Sequence, residues 1–193
     1  MSIVLLGGSP SPQSSCSRLL LHIGEKLALH GHRTARLEVR ELPGPALLRA
    51  DTADPELARA VALVRDADAL VVATPIYKAS YTGILKLFLD LLPQDGLAGK
   101  LVLPIATGGS QSHLLALDYA LRPVLASMWP RSILPSIYAT SEQVGQDSAA
   151  GLRLAPPIAV RVADGVDQLA AELQALAARA VARESRRTAP IAA

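Results

Sequence analysis

The chain has 193 residues, half of them apolar and 19% charged, with a net charge of +2. That length suits one domain whose core needs no disulfide or metal staple, and the composition excludes a disordered chain. Two excess positive charges make no field for a polyanion, and 3% aromatic residues give bases little to stack on, so a nucleic-acid partner is excluded.

Ile3 to Leu6 is a short apolar run ending in Gly7-Gly8-Ser9-Pro10, which predicts a buried strand broken by a loop. Leu20, Ile23 and Leu27 then mark one face of a helix that Gly31 ends. Thr34 to Val39 alternates apolar and polar residues, as a less buried second strand does. Pro43-Gly-Pro45 opens a loop, and Asp54-Pro55 caps a helix carrying Leu57, Val61 and Val64 on one face. Ala69 to Ala73 is a third apolar strand, stopped by Pro75, and Ile84 to Leu92 is helical. Leu101 to Ala106 reads as a fourth strand, with Pro104 expected at a bulge or an edge. His113 to about Ser127 is a helix kinked at Pro123, and Ile133 to Ala139 a fifth strand. Ser141 to Pro157 shows no period, and a last helix follows from Val166 through Leu169, Leu173 and Leu176 to Ala180.

Short apolar strands alternating with amphipathic helices imply a parallel sheet covered on both faces. The expected organisation is one domain over residues 1–183 and a flexible tail over 184–193. The arginines at 179, 183, 186 and 187 read as a solvated helix end. One cysteine, Cys16, suits a reducing cytoplasm, and the N-terminus has no basic leader before its apolar run. No apolar stretch reaches the roughly 20 residues a bilayer crossing needs, so no membrane partner is expected.

In such a sheet, ligands bind outside the C-terminal ends of the strands. Three loops there have unusual composition. Gly7 to Ser17 is rich in Ser and Gly and enters a helix N-terminus, where free N–H groups favour an anion; Ser9, Ser14, Ser15, Ser17 and Arg18 add donors. It lacks the spacing of a dinucleotide fingerprint or a Walker loop. Thr74 to Gly83 holds Tyr77, Lys78 and Tyr81, which suit a flat ring with polar edges, although a loop tyrosine taken singly is usually packing. Thr107 to His113 contains Gly108-Gly109, which permits close backbone approach. Ser110 and His113 do not form a nucleophile elbow, and His30-x-His32 lacks the partners of a metal site, so no metal is expected. A phosphate cradle beside two ring-fitting loops points to FMN.

Ala73-Thr-Pro-Ile-Tyr-Lys-Ala-Ser-Tyr-Thr-Gly83, Gly99 to Gly109, and His113 to Pro123, together with Gly8-Ser9-Pro10, Leu85-Lys86 and Leu89 to Pro93, carry a resemblance. Over roughly residues 1–140 the chain resembles the NADPH-dependent FMN reductases of bacterial two-component alkanesulfonate monooxygenase systems. The resemblance implies a flavodoxin-like α/β fold: a doubly wound, five-stranded parallel sheet in the order 2-1-3-4-5 with helices on both faces. It implies hydride transfer from NADPH to FMN, a loosely held flavin, a homodimer or homotetramer, and delivery of reduced flavin to a monooxygenase in sulfur metabolism. The binding set it implies is Ser9, Ser15, Cys16 and Ser17 at the phosphate; Pro75, Ile76, Tyr77 and Lys78 at the ring; Thr107, Gly108, Gly109 and His113 at its other edge; and Tyr119 on a helix packed at a subunit interface near the flavin. Such proteins often carry an Arg in the first loop. Here positions 11 to 16 are Ser, Pro, Gln, Ser, Ser and Cys, which leaves the cradle with less fixed charge.

Hydride transfer requires no side-chain acid or base, so no catalytic residue is named. Rival readings are a quinone or azo-dye reductase on the same fold, a flavodoxin-type electron carrier, and a non-catalytic interaction protein. Electron carriers of that kind are usually acidic, which the net charge of +2 opposes.

Overall fold

The computed structural model describes residues 1–147 and 151–188. Strands β1 (Ser2–Gly7), β2 (Arg33–Glu38), β3 (Ala69–Pro75) and β4 (Leu101–Gly108) lie parallel in the order β2-β1-β3-β4. The fifth position is shared by two short strands, β5 (Ser132–Ile133) and β6 (Ile137–Thr140), both parallel to β4. This is the flavodoxin-like 2-1-3-4-5 order, with β1 and β3 at the point where the winding reverses.

Side chains of a strand alternate between faces, and each face of this sheet has its own apolar layer. Ile3 and Leu5 of β1 join Leu19, Ile23 and Leu27 of α1 (Ser15–Leu29) and Val162, Val166 and Leu169 of α6 (Pro156–Thr188). Val4 and Leu6 face Leu57 and Val64 of α3 (Pro55–Arg65) and Leu85 and Phe88 of α4 (Gly83–Leu89). The short helices α2 (Gly44–Leu48) and α5 (Arg122–Ala126) complete that second layer through Leu47 and Leu125. Every residue of β3 and β4 is buried, as a parallel sheet covered on both faces requires. Of the largest fully buried side chains among the described residues, two are aromatic, Phe88 and Tyr138, and half-buried Tyr81 packs against the same layer.

Several local expectations need correction. Pro104 sits at neither edge nor bulge: it is in register with Val72 in an interior strand. The Leu101 N–H donates to Asp68 on the β3 side. N–H directions alternate along a strand, so the Pro104 nitrogen faces the fifth position. Pairing there stops between Ile133 and Ile137, and no ladder donor is missed. The irregularity has moved to the neighbouring strand.

The segment around Pro123 is not a simple kinked helix. A 3-10 turn (Gln111–Leu114) leads to a π turn (Leu117–Leu121), in which the Arg122 N–H reaches the Leu117 carbonyl, and then to α5. A proline ring obstructs the carbonyl four residues earlier, and the wider π winding absorbs the conflict.

Pro43-Gly-Pro45 enters α2 and is not plain loop, since proline is tolerated in a first helical turn. The aperiodic stretch after Ser141 holds an antiparallel hairpin, β7 (Val144–Asp147) and β8 (Gly151–Leu154). Helix α6 starts at Pro156, well before the apolar period read from Val166, for the same reason as α2. The helix runs on to Thr188, so the tail expected over 184–193 falls partly on α6, and residues 189–193 lie outside the described residues. Among the described residues, no helix is long and apolar enough to cross a membrane.

Candidate functional site

The three loops converge at the C-terminal ends of β1, β3 and β4 around an open cleft of about 340 Å³. The first loop contributes Gln13, Ser14 and Ser15, with Arg18 from the first turns of α1. Pro75, Ile76 and Tyr77 come from the second, and Thr107, Gly108 and Gly109 from the third. Ser141, after β6, closes the ring.

Gly8 lets the first loop leave β1 between β3 and α4. Its N–H donates to the Ala73 carbonyl at 2.8 Å, and a Cβ there would lie 2.7 Å from Leu85. The loop then folds on its own hydroxyls. Ser14 is the N-cap of α1 and accepts the Ser17 N–H at 3.1 Å. Ser9 Oγ lies 2.8 Å from Ser14 Oγ and donates to the Ser11 carbonyl at 3.1 Å, and Ser17 Oγ donates to that carbonyl at 2.9 Å. Ser9 and Ser17 are buried behind the loop, whereas Ser14 and Ser15 face the cleft.

Fixed charge comes from outside positions 11 to 16. The Arg18 guanidinium donates to Ser15 Oγ and to the Val144 carbonyl, both at 3.2 Å, and to the Gln13 carbonyl. Its Nε is buried and has no hydrogen-bond partner among the described residues. Behind the loop, Arg40 donates to the Ser9 carbonyl at 3.2 Å and pairs with buried Glu38 at 2.7 Å, which also pairs with Arg36 at 3.0 Å. Positions 11 to 16 supply no cation, Arg18 lines the cleft as the sequence suggests, and Arg40 is paired with Glu38 behind the loop and outside the lining.

Cys16 lies under the floor at 1% exposure. Burial pushes its thiol pKa up, Glu38 adds to the shift, and a hydrogen bond with Thr107 partly offsets it. The thiol is protonated at neutral pH and behaves as core.

The second loop is tied to both others. Thr82 Oγ1 donates to the Gly8 carbonyl at 2.6 Å and accepts the Leu85 N–H at 3.4 Å, capping α4. The Ile76 N–H donates to the Thr107 carbonyl at 2.8 Å. Tyr77 and Ser80 exchange backbone hydrogen bonds at 2.9 and 3.1 Å across Lys78 and Ala79, whose φ values are 50° and 59°. Two central residues at positive φ define a type I′ geometry that usually requires Asn or Gly, so this turn is strained. It lifts exposed Lys78 away from the cleft lining and leaves Tyr77 on it.

In the third loop, Tyr138 donates to the Ser110 carbonyl at 2.5 Å, and Ser141 Oγ to the Gly108 carbonyl at 3.4 Å. His113 packs beside Gly108, its buried Nδ1 without a hydrogen-bond partner among the described residues, and does not line the cleft. Tyr119, on the π turn, is 79% exposed and stands apart from the cleft.

Of the residues expected to bind, the fold brings Ser15, Pro75, Ile76, Tyr77, Thr107, Gly108 and Gly109 onto one surface. Ser9, Cys16, Ser17, Lys78, His113 and Tyr119 are placed behind or beside it. Gln13 and Ser141 went unforeseen. Thr82, directly before the α4 pattern, carried an N-cap signal that marks its role. The lining holds no carboxylate, imidazole or thiol. Donors gather at one end and flat apolar or glycine surface at the other, which fits a phosphate joined to a planar ring.

The sequence profile described as NADPH-dependent FMN reductase matches residues 1–145. The chain is 46% identical over 144 residues to FMN reductase (NADPH) of Pseudomonas putida KT2440, covering 75% of this chain and 73% of that protein. It is 31% identical over 159 residues to the NADH-dependent FMN reductase SfnE of Pseudomonas putida, covering 81% and 85%. The crystal structure of apo NADH:FMN oxidoreductase EmoB superposes with a TM-score of 0.81 at 42% identity, covering 89% of each chain.

Proposed function

The chain belongs to the NADPH-dependent FMN reductase family, and from that premise we propose that it releases reduced FMN to a separate flavin-dependent monooxygenase in sulfonate sulfur assimilation. It is an oxidoreductase that uses FMN and NADPH. The observation that carries the proposal is the open cleft: flavin meets a surface that it can leave. The motif resemblance over residues 73–83 and 99–109 supports the monooxygenase system as the recipient.

We assign the FMN phosphate to Ser14, Ser15, Arg18 and the first N–H groups of α1, which have no intrahelical partner. Pro75, Ile76, Tyr77, Gly108 and Gly109 hold the ring. When bound, FMN accepts the hydride that NADPH donates. The lining offers no proton-transfer group apart from the Tyr77 phenol, so the protein acts by holding the two rings in contact. Exposed Tyr119 and Leu115 beside the π turn suit burial against a second copy, in a dimer or tetramer.

Steady-state NADPH oxidation against added FMN tests the reading. Saturable dependence on free FMN is expected. Full turnover by purified protein without added flavin would replace release with a retained prosthetic group, and no oxidation at any FMN concentration would overturn the assignment of the cleft. Light scattering of the purified protein checks the assembly, where a monomer at micromolar concentration refutes it.

A further inference from the structure

One buried ring reaches the site from behind. Tyr138 of β6 is 1% exposed and packs in the apolar layer with Phe88, Leu117 and Leu121. A Phe would fill that layer equally well, so packing alone does not account for the hydroxyl. The hydroxyl emerges at the C-terminal end of the sheet and donates to the Ser110 carbonyl at 2.5 Å. The same oxygen lies 2.5 Å from the point where a Gly108 Cβ would stand. The phenol therefore rests on the Cα of Gly108 and holds the carbonyl two residues later.

Gly109 needs such a hold: Gly108 is already in register with Thr140 and its carbonyl accepts from Ser141 Oγ, whereas Gly109 lies past the end of β4. Consecutive glycines have wide conformational freedom and are costly to order. Nothing lies within 4 Å of a Cβ position on Gly109, so its neighbours do not fix it. A rigid ring anchored in a packed sheet supplies the missing restraint.

We propose that Tyr138 is a positioning residue for the ring-binding end of the cleft. It fixes the backbone of residues 108–110, and with it the groups that meet the flavin ring, without touching the flavin. The inference rests on the assignment of the ring to the second and third loops.

The test is Tyr138→Phe, with affinity for FMN and for riboflavin read from quenching of flavin fluorescence and a thermal melt run in parallel. Riboflavin lacks the phosphate and isolates the ring end. Both flavins should weaken by the same factor, about tenfold, as expected for one lost hydrogen bond at a buried site. Ser15→Asp should show the opposite signature, with FMN weakened and riboflavin unchanged. A lower melting temperature with wild-type affinity for both flavins would reduce Tyr138 to packing and overturn the inference, as would a loss confined to FMN. Failure of the wild-type protein to bind either flavin would remove the assignment of the cleft, a different result from an indifferent Tyr138.

Gly108→Ala gives a second arm that does not depend on Tyr138→Phe folding. Its methyl meets the hydroxyl and, less closely, the His113 ring in the wild-type background, and only the His113 ring in the Tyr138→Phe background. Riboflavin affinity of the double variant should therefore equal or exceed that of Gly108→Ala alone. Strictly additive losses, or wild-type riboflavin binding by Gly108→Ala, would overturn the inference.

Discussion

Thr82→Val is the sharpest probe of how the site is assembled. The substitution keeps the volume and the branching at Cβ and removes one oxygen. That oxygen donates to the Gly8 carbonyl at 2.6 Å and accepts the Leu85 N–H at 3.4 Å, and Thr82 is only 4% exposed. Leaving the Gly8 carbonyl unpaired in the interior costs about 1–2 kcal/mol. Losing the cap of α4 adds up to about 1 kcal/mol, at the low end here because the capping bond is long. The combined loss of roughly 2–3 kcal/mol lowers the melting temperature by roughly 5–10 °C for a chain of this size. Gly8 belongs to the first loop and Thr82 to the second, so the variant also unties two of the loops that form the cleft. FMN affinity should fall together with stability. Urea unfolding and fluorescence titration with FMN measure both. Thr82→Ser, which keeps the hydroxyl, should recover most of each. If Ser is as damaging as Val, the methyl group matters and the bond does not, and the reasoning fails. A loss below about 0.5 kcal/mol for Val would refute it equally.

Three further outcomes are expected. Ala79→Gly relieves the positive φ of 59° and should stabilise the folded state by about 0.5–1 kcal/mol in urea unfolding; destabilisation would mean that the Ala79 methyl makes a contact worth more than the strain. Cys16, fully buried with its thiol pKa pushed up by burial and by Glu38, should resist aromatic disulfide reagents at pH 8 until the protein unfolds, whereas rapid stoichiometric labelling of the native protein would place it at the surface. Burial holds the His32 pKa below its ordinary value, with the N-terminal ammonium and His30 adding to the shift. The unfolded chain then binds the proton more readily, so His32 stability is fully present above about pH 6.5 and is lost as pH falls below it. His22 shifts the same way, so His32→Gln should flatten part of the fall in melting temperature between pH 7 and 5, and an unchanged slope would exclude His32 as a source.

The strands and the position of the site were legible because both follow from local pattern. Ile3 to Leu6 and Ala69 to Ala73 are apolar runs too short for helices, and the loops after them carry residues that no core needs. Which serine lines the cleft was not legible. Ser9, Ser14, Ser15 and Ser17 are chemically alike, and their sorting depends on the Ser11 carbonyl inside the loop and on Arg40 arriving from the end of β2. The cation was legible as Arg18, and the fold adds where it sits. The loop itself lacks a cation, but one turn of α1 brings Arg18 back over Ser15. Pro104 was misread because a proline's cost depends on which side its nitrogen faces, and one strand's sequence does not state where its neighbour breaks.

Tyr138 shows the same limit most clearly. In the sequence it is one ring in an apolar strand, less suggestive than Tyr77 or Tyr119 in their more polar settings. Its weight comes from tertiary geometry: β6 lies beside β4 for four residues, which brings the phenol under Gly108 and its hydroxyl to Ser110, 28 positions earlier. Tyr119, by contrast, stands on the π turn, where its ring is 79% exposed. In a chain with so few aromatics, one ring is thus held inside, against the third loop, and another stands exposed. The difference lies in the partners that the fold provides and not in the residue.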